Sequence, residues 1–406
     1  MKKIKIALGF LVVCNASFAQ QTIPVPDGTP NFSYNPAITT GVSFLTIAPD
    51  ARAAGMGDMG VATKTDAFSQ FYNPAKYAFA EKQQGFALSY TPYMSKIASD
   101  ISLMGASYFN RINDRSAIGA SLRYFTLGEI NYTDNTGYPV GIEKPNEFSV
   151  DVSYSIKWSE TFALAVAGRY INSSLKLRGD GETSASSFAV DVAGFYESER
   201  ITTGSSEGRI RAGFNFQNMG PKINYTDIPG GASNLPTTLR LGLGYDFILD
   251  NYNTVSIYGE TTKLLVPSNL EPTFVDYNGN GEVDGTDEIN SVDRRYQEYR
   301  DIGWFSGMFK SFGDAPGGFG EEMREFTWSL GAEYWYQNSF AFRLGYFNEA
   351  EDKGARKYAT LGAGFKYNIV NVDVSYLFAT GKVQNPLENT LRFSLTFNFG
   401  KDYYKN

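Results

Sequence analysis

The sequence has no histidine and a single cysteine, Cys14, and this removes most familiar catalytic constellations. Without histidine there is no Ser-His-Asp or Cys-His arrangement, and the usual zinc sites are gone as well. Cys14 falls within a stretch that has the form of a secretory leader. Lys2, Lys3 and Lys5 give it a basic start, Ile6 to Val13 an apolar run, and Ser17-Phe18-Ala19 a small-x-small cleavage site. Val13 precedes Cys14 where a lipidated cysteine takes a small residue, so the reading is cleavage after Ala19 rather than lipid attachment. A chain starting at Gln20 has no cysteine, and neither disulfides nor thiolate metal sites contribute to it. An enzyme built from it would need carboxylates, lysine or tyrosine. No pair of these is spaced to suggest one, so a non-enzymatic role is expected.

Long apolar runs are also missing. After the leader none approaches the roughly 18 residues a membrane helix needs, and the mean hydropathy is −0.28. Positive charge is scarce too. With the three leader lysines gone, 33 Lys and Arg face 43 Asp and Glu, a net charge of −10, which makes nucleic acid a poor partner. What the chain has instead is aromatic residues and glycine: 27 Tyr, 31 Phe, 4 Trp and 41 Gly. Outer-membrane β-barrels combine this composition with strands that are half polar, so that hydropathy alone does not reveal them.

The pattern is plainest near the C-terminus. Leu391, Phe393, Leu395, Phe397 and Phe399 fall on one face of an extended strand, and Arg392, Ser394, Thr396 and Asn398 on the other. Segments of this kind recur near residues 85–93, 99–109, 116–127, 146–157, 161–174, 186–197, 208–218, 237–249, 253–265, 325–336, 339–347, 357–368, 371–380 and 388–399, fourteen in all. The connections between them alternate, short at even positions and long at odd ones, up to residues 266–324. Transmembrane barrels segregate short periplasmic turns from long outer loops in this way, whereas a soluble sandwich has no reason to. The polar faces carry Arg123, Asp151, Lys157, Arg169, Asp191, Arg211, Arg240, Asp246, Glu333, Arg343, Lys366, Asp373 and Arg392, charges that belong in a solvated, mutually paired lumen and not in a dry core. The spacing therefore predicts an all-β fold, a 14-stranded antiparallel transmembrane barrel over residues 83–400 in the outer membrane. Its last strand pairs with its first, so that lipid meets no open edge. A lumen this wide needs an occupant. Residues 20–82, rich in Gly and Pro and expected to form short helical turns, are the available hatch or plug.

Ala51-Arg52-Ala53-Ala54-Gly55-Met56-Gly57, followed by Asp66-Ala67-Phe68-Ser69 and Tyr72-Asn73-Pro74-Ala75, resembles the N-terminal signature of the FadL-like barrel superfamily, with Arg52, Gly55, Gly57, Asn73 and Pro74 as its hatch motif. Within that superfamily, Thr39 to Leu45, Pro49-Asp50-Ala51-Arg52 and the glycine-rich Phe312 to Glu321 loop resemble the PorV family of the Bacteroidetes type IX secretion system, over essentially the whole chain after the leader. The resemblance implies a non-enzymatic carrier. Such a protein receives secreted cargo through a shared C-terminal signal domain, docks at the large translocon barrel, and delivers the cargo to a surface sortase-like attachment complex. The alternative is a FadL-type porter of hydrophobic small molecules, since fold analogy alone does not settle function.

Two further stretches stand out in the longest loop. Asp276, Asn278, Asn280, Asp284 and Asp287 take positions 1, 3, 5, 9 and 12 of an EF-hand-like loop, with Gly281 at 6 and the Glu282 carbonyl at 7. This spacing predicts a structural Ca²⁺ ordering an outer loop at extracellular millimolar levels, although an Asn/Asp/Gly-rich turn reaches the same composition without a metal. Trp304, Phe305, Met308, Phe309 and Phe312 form an apolar cluster. It is expected either to meet a partner protein or to fold into the barrel mouth or the membrane interface. Tyr334, Trp335, Tyr336, Tyr346, Tyr367 and Tyr376 lie near strand ends and read as interfacial girdle.

Overall fold

The computed structural model describes residues 37–403, apart from residues 95–97, 99, 134–135, 137, 176–183, 204–205, 226–231, 269–300, 382–387 and 389. The leader and the calcium-loop stretch Asp276 to Asp287 lie outside the described residues.

Fourteen long strands form the wall: β1 Lys82–Pro92, β2 Ile101–Arg111, β3 Ser116–Leu127, β4 Asn146–Lys157, β5 Phe162–Ser174, β6 Ala185–Glu197, β7 Ser206–Met219, β8 Thr238–Ile248, β9 Thr254–Leu264, β10 Phe326–Tyr336, β11 Phe340–Asn348, β12 Lys357–Tyr367, β13 Val370–Ala379 and β14 Leu391–Asp402. Each pairs antiparallel with its sequence neighbours. The barrel closes because β14 also pairs with β1, with Gly85 opposite Asn398 and Tyr90 opposite Phe393. Strand number and closure agree with the expectation from sequence. The ends differ by a few residues: the last strand runs to Asp402 and not 399, because Asp402 still finds Lys82 across the seam, where their side chains form a 2.6 Å ion pair. Alternation identifies which residues are strand; the neighbouring ladder decides where the strand stops. Beyond it, the Tyr403 amide donates to the Glu81 carbonyl at 2.9 Å, and the Arg111 guanidinium lies 4.0 Å from the Tyr403 ring.

Side-chain parity sorts the wall into two chemistries. In β4, Val150, Val152, Tyr154 and Ile156 face outward and are exposed, whereas Ser149, Asp151, Ser153 and Ser155 face inward and are buried. A belt of exposed Val, Leu, Phe and Tyr this extensive is intelligible only if hydrocarbon surrounds it. No helix among the described residues is long and apolar enough to cross a membrane, and the strands cross instead. Residues 112–115, 158–161, 249–253, 337–339 and 368–369 make tight connections at one end. There Gln337 and Asn338 both adopt left-handed φ, 52° and 51°, as a type I′ hairpin requires. The opposite end carries the long loops, one of which folds into a small hairpin of Ile130–Thr133 with Pro139–Glu143. By the usual asymmetry of such barrels the tight end is periplasmic and the looped end faces outward.

Residues 37–81 thread the lumen from the looped end to the tight end. The Gly41 amide bonds the Asn234 carbonyl in an outer loop, and the Ala80 carbonyl accepts from Arg111 at the inner end, both within hydrogen-bond range. Between them lie only short turns: 3-10 helices Ser43–Thr46, Ala67–Phe71 and Pro74–Phe79, and one helical turn, α1 Ala51–Ala54. In chain order, Pro49, Gly55 and Pro74 interrupt the first three, and the fourth runs on into β1. Val42, Phe44 and Leu45 pack against Leu103, Phe125 and Ile171 near the outer end, and Phe79 against Phe195 near the inner one.

Candidate functional site

The hatch meets the wall by two devices. The first is close backbone approach. Gly331, Gly345 and Gly362 face inward from β10, β11 and β12, directly against Gly55-Met56-Gly57. A Cβ at Gly345 would sit 2.2 Å from the Gly57 nitrogen, and one at Gly362 3.1 Å from the Gly55 Cα. Gly57 itself has φ 77°, which only glycine adopts without strain. Gly213 and Gly242 give Val61 the same access on the far wall.

The second device is an ion chain. Arg52 donates from Nε and Nη2 to the two oxygens of Glu333 at 3.0 and 2.9 Å and from Nη1 to the Lys64 carbonyl at 2.8 Å, and it also pairs with Asp66. Glu333 accepts from Arg343 Nε at 2.8 Å, and Arg343 Nη1 donates to Asp373 at 2.7 Å. The charge thus runs from the hatch through β10 and β11 to β13. Asn73 caps its 3-10 helix by accepting from the Ala75 amide at 3.1 Å, and its Nδ2 donates to the Val61 and Gly194 carbonyls at 2.9 Å each; Pro74 takes the first helical position, where no amide is needed. Every residue of the hatch motif is therefore engaged in seating the segment.

Other residues do as much without having drawn attention in the sequence. Glu260 of β9 accepts the Gly60 and Val61 amides at 2.8 and 2.9 Å through one oxygen. Asp58, held at φ 61°, accepts from Arg392 at 2.8 Å and from the Tyr358 hydroxyl. The signal for these was available: Gly242 and Gly244 occupy the polar parity of β8, where glycine has no reason to be unless a backbone comes close. Burial, with the Asp66 charge adding to it, pushes the Asp50 carboxyl up to about 6. Burial pulls the Lys76 ammonium down to about 8, while its Nζ donates to the Gly60 carbonyl at 2.8 Å and Thr63 Oγ1 at 3.0 Å. Most of the inward charges are paired as expected, Arg169 with Asp151 and Asp191 and Arg211 with Glu197 and Asp246 among them. They do not stand open to solvent as expected, because hatch and wall cover them: Asp151, Arg169, Asp191, Glu333, Arg343 and Arg392 are all buried.

Among the described residues between β9 and β10, the outer face carries two short helices, α2 Trp304–Lys310 and α3 Phe319–Arg324. Lys263, fully buried, pairs with Glu322 at 2.6 Å and Glu325 at 2.7 Å, and Lys353 pairs with Glu321 at 2.6 Å. These pairs fix α3, and Gly307 of α2 lies against Pro267. Met308 is buried beneath the helix and anchors it; Trp304, Phe305, Phe309 and Phe312 remain exposed, with Phe305 edge-on between Trp304 and Phe309 at 5.6 and 5.3 Å. Phe319 and Met323 of α3 are exposed as well.

At the tight end a vestibule of about 210 Å³ remains, lined by Lys64, Trp335, Arg343, Lys366 and Asn371 among others. Trp335 departs from the girdle reading. Tyr334 and Tyr336 point outward, so a period of two turns the residue between them into the lumen, where its ring lies 5.8 Å from the Arg343 guanidinium.

No curated protein matches the sequence. Among solved structures, the toluene transporter TodX of P. putida is 13% identical with a TM-score of 0.48, the match covering 87% of this chain and 99% of that one. A FadL homologue of Pseudomonas aeruginosa is 11% identical with a TM-score of 0.45, covering 90% and 100%. The family model described as type IX secretion system protein PorV matches residues 31–271, more than half of the sequence. Together with a closed 14-strand barrel whose lumen holds the hatch, this makes the chain an outer-membrane component of type IX secretion, and it belongs to the PorV family.

Proposed function

We propose that the protein is a non-enzymatic cargo carrier. It binds secreted proteins through their C-terminal signal domain, docks at the translocon barrel and passes cargo to the surface attachment complex. The observation that carries this reading is the contrast between a lumen bonded shut and an outer face left apolar. Hatch contacts reach β2 through Ser107, β4 through Ser153, β7 through Asn215 and Gln217, β9 through Glu260, β10 through Ser329 and Glu333, β12 through Thr360 and β14 through Ser394. A FadL-type porter would have to break many of these bonds to open a path. The exposed aromatic face of α2 needs no rearrangement to meet a partner. Bound Ca²⁺ at Asp276, Asn278, Asn280, Glu282, Asp284 and Asp287 belongs to the same proposal, as an ion that orders the outer loop from which α2 emerges.

Affinity purification from outer membranes tests the carrier role. A very large barrel and secreted proteins sharing a C-terminal domain should co-purify. Intact secretion in a deletion strain that has lost uptake of hydrophobic compounds would support the porter instead. For the ion, calorimetry should detect Ca²⁺ uptake that Asp276→Ala and Asp284→Ala abolish; no uptake by the unaltered protein would end that part of the proposal.

A further inference from the structure

The vestibule at the tight end plays no part in the outer-face reading, yet its wall holds several polar groups that lack partners. Lys366 projects from the end of β12, half-buried, and its ammonium has no hydrogen bond or ion pair among the described residues. The charges around it are Lys64, Glu81, Lys82 and Asp402. Lys64 is taken by Glu81 at 2.8 Å and Lys82 by Asp402 at 2.6 Å, which leaves Lys366 as the excess cation of that group. Buried in the same lining, Arg343 Nη2 and Arg209 Nε have no acceptor, although both side chains are otherwise paired. Asn371, directly across the ladder from Lys366, has a buried Oδ1 with no donor. Trp335 and Ile248 add apolar surface to the lining, and Asp250 on the opposite turn is satisfied by Asn253 and the Tyr252 amide.

An unpaired buried polar group costs free energy, and several of them around one cavity describe the complement of a ligand. The unmet donors ask for an anion and the unmet acceptor asks for an N–H, while the apolar lining asks for an apolar side chain. An inorganic oxyanion answers only the first. A peptide segment with a carboxylate side chain, a backbone N–H and a neighbouring apolar residue answers all three, and a space of about 210 Å³ takes one or two residues of such a chain. We propose that this vestibule binds a short acidic segment of a periplasmic protein, its carboxylate on Lys366 and Arg343, its backbone N–H on Asn371, and its apolar side chain against Trp335. The outer membrane component would then have a recognition site on each side of the bilayer, and this one stands whether or not the outer face binds cargo.

The test is fluorescence anisotropy on the detergent-purified full chain with a labelled acetyl-Glu-Leu-Glu-Leu-Glu-amide peptide, a Lys-for-Glu version of it, and inorganic phosphate as competitor. The acidic peptide should bind saturably and more weakly as salt rises. Lys366→Gln should weaken it about tenfold, the loss of one charge-assisted contact, and Lys366→Arg should keep it. The basic peptide should not bind, and phosphate should compete poorly. Lys366→Gln lies at the rim, and unchanged heat-modifiability on gels would establish that it folds. Three results would overturn the proposal: no saturable binding of the acidic peptide, equal binding by Lys366→Gln, or displacement by phosphate at the concentration at which the peptide itself binds, which would mean an oxyanion site only.

Discussion

The hatch and the outer platform are built from the same material, short helical turns joined by glycine-rich links, and they are held in opposite ways. Around the hatch the wall supplies glycines and paired charges on every side, so each hatch residue is chosen by what it touches. The platform is fixed from below, by Lys263 and Lys353 against Glu321, Glu322 and Glu325, and Trp304, Phe305, Phe309 and Phe312 are exposed on it. Where a segment is enclosed, steric fit and hydrogen-bond satisfaction set the sequence. Where one face is open, the sequence is available for recognition.

Mutations that cross this divide should have effects of very different size. Arg52→Ala takes the cation from Asp66 and leaves Glu333 to Arg343 alone, and removing one partner of a buried ion pair costs about 3–5 kcal/mol. Thermal unfolding followed on gels should show a large drop in midpoint; an unchanged midpoint would mean that the hatch does not contribute to barrel stability. Gly345→Val forces a side chain into the backbone of Met56 and Gly57, where no rotamer change gives relief. Overpacking of this kind costs about 1–3 kcal/mol. The paired control is Gly168→Ala, where a Cβ meets nothing within 4 Å and the midpoint should stay put. Lys263→Met should act locally. Proteolysis within residues 265–325 should rise while the barrel midpoint holds, because the platform can loosen into water without disturbing the wall. Smallest of all in stability terms is Trp304→Ala with Phe309→Ala, a surface change within about 0.5 kcal/mol. That pair should nonetheless reduce recovery of cargo or translocon in pull-downs. Undiminished recovery would remove the platform from the carrier proposal.

Parity carried most of the fold in the sequence. Fourteen alternating segments and the rhythm of short and long connections specify a barrel, because a strand that separates hydrocarbon from a polar lumen has to repeat every second residue. The same rule, applied strictly, places Trp335 inside and not in the girdle, since Tyr334 and Tyr336 already face out. The hatch motif marked Arg52, Gly55, Gly57, Asn73 and Pro74 without saying what each one meets. The partners Glu333, Gly345, Gly362 and Gly194 lie more than a hundred residues away, and nothing local to either side encodes the pairing.

The sequence by itself determined the strand count, the lipid face of each strand and the aromatic composition of the outer helix, because these follow from local periodicity and from the loop and composition signals that accompany it. Only the tertiary structure decided that most inward charges are buried and matched, that Met308 anchors the helix which Trp304 and Phe309 decorate, and that Lys366 and Asn371 face a vestibule with their polar ends unmet. Those are properties of the space enclosed when β14 closes on β1, and that space comes into being only with the closed barrel.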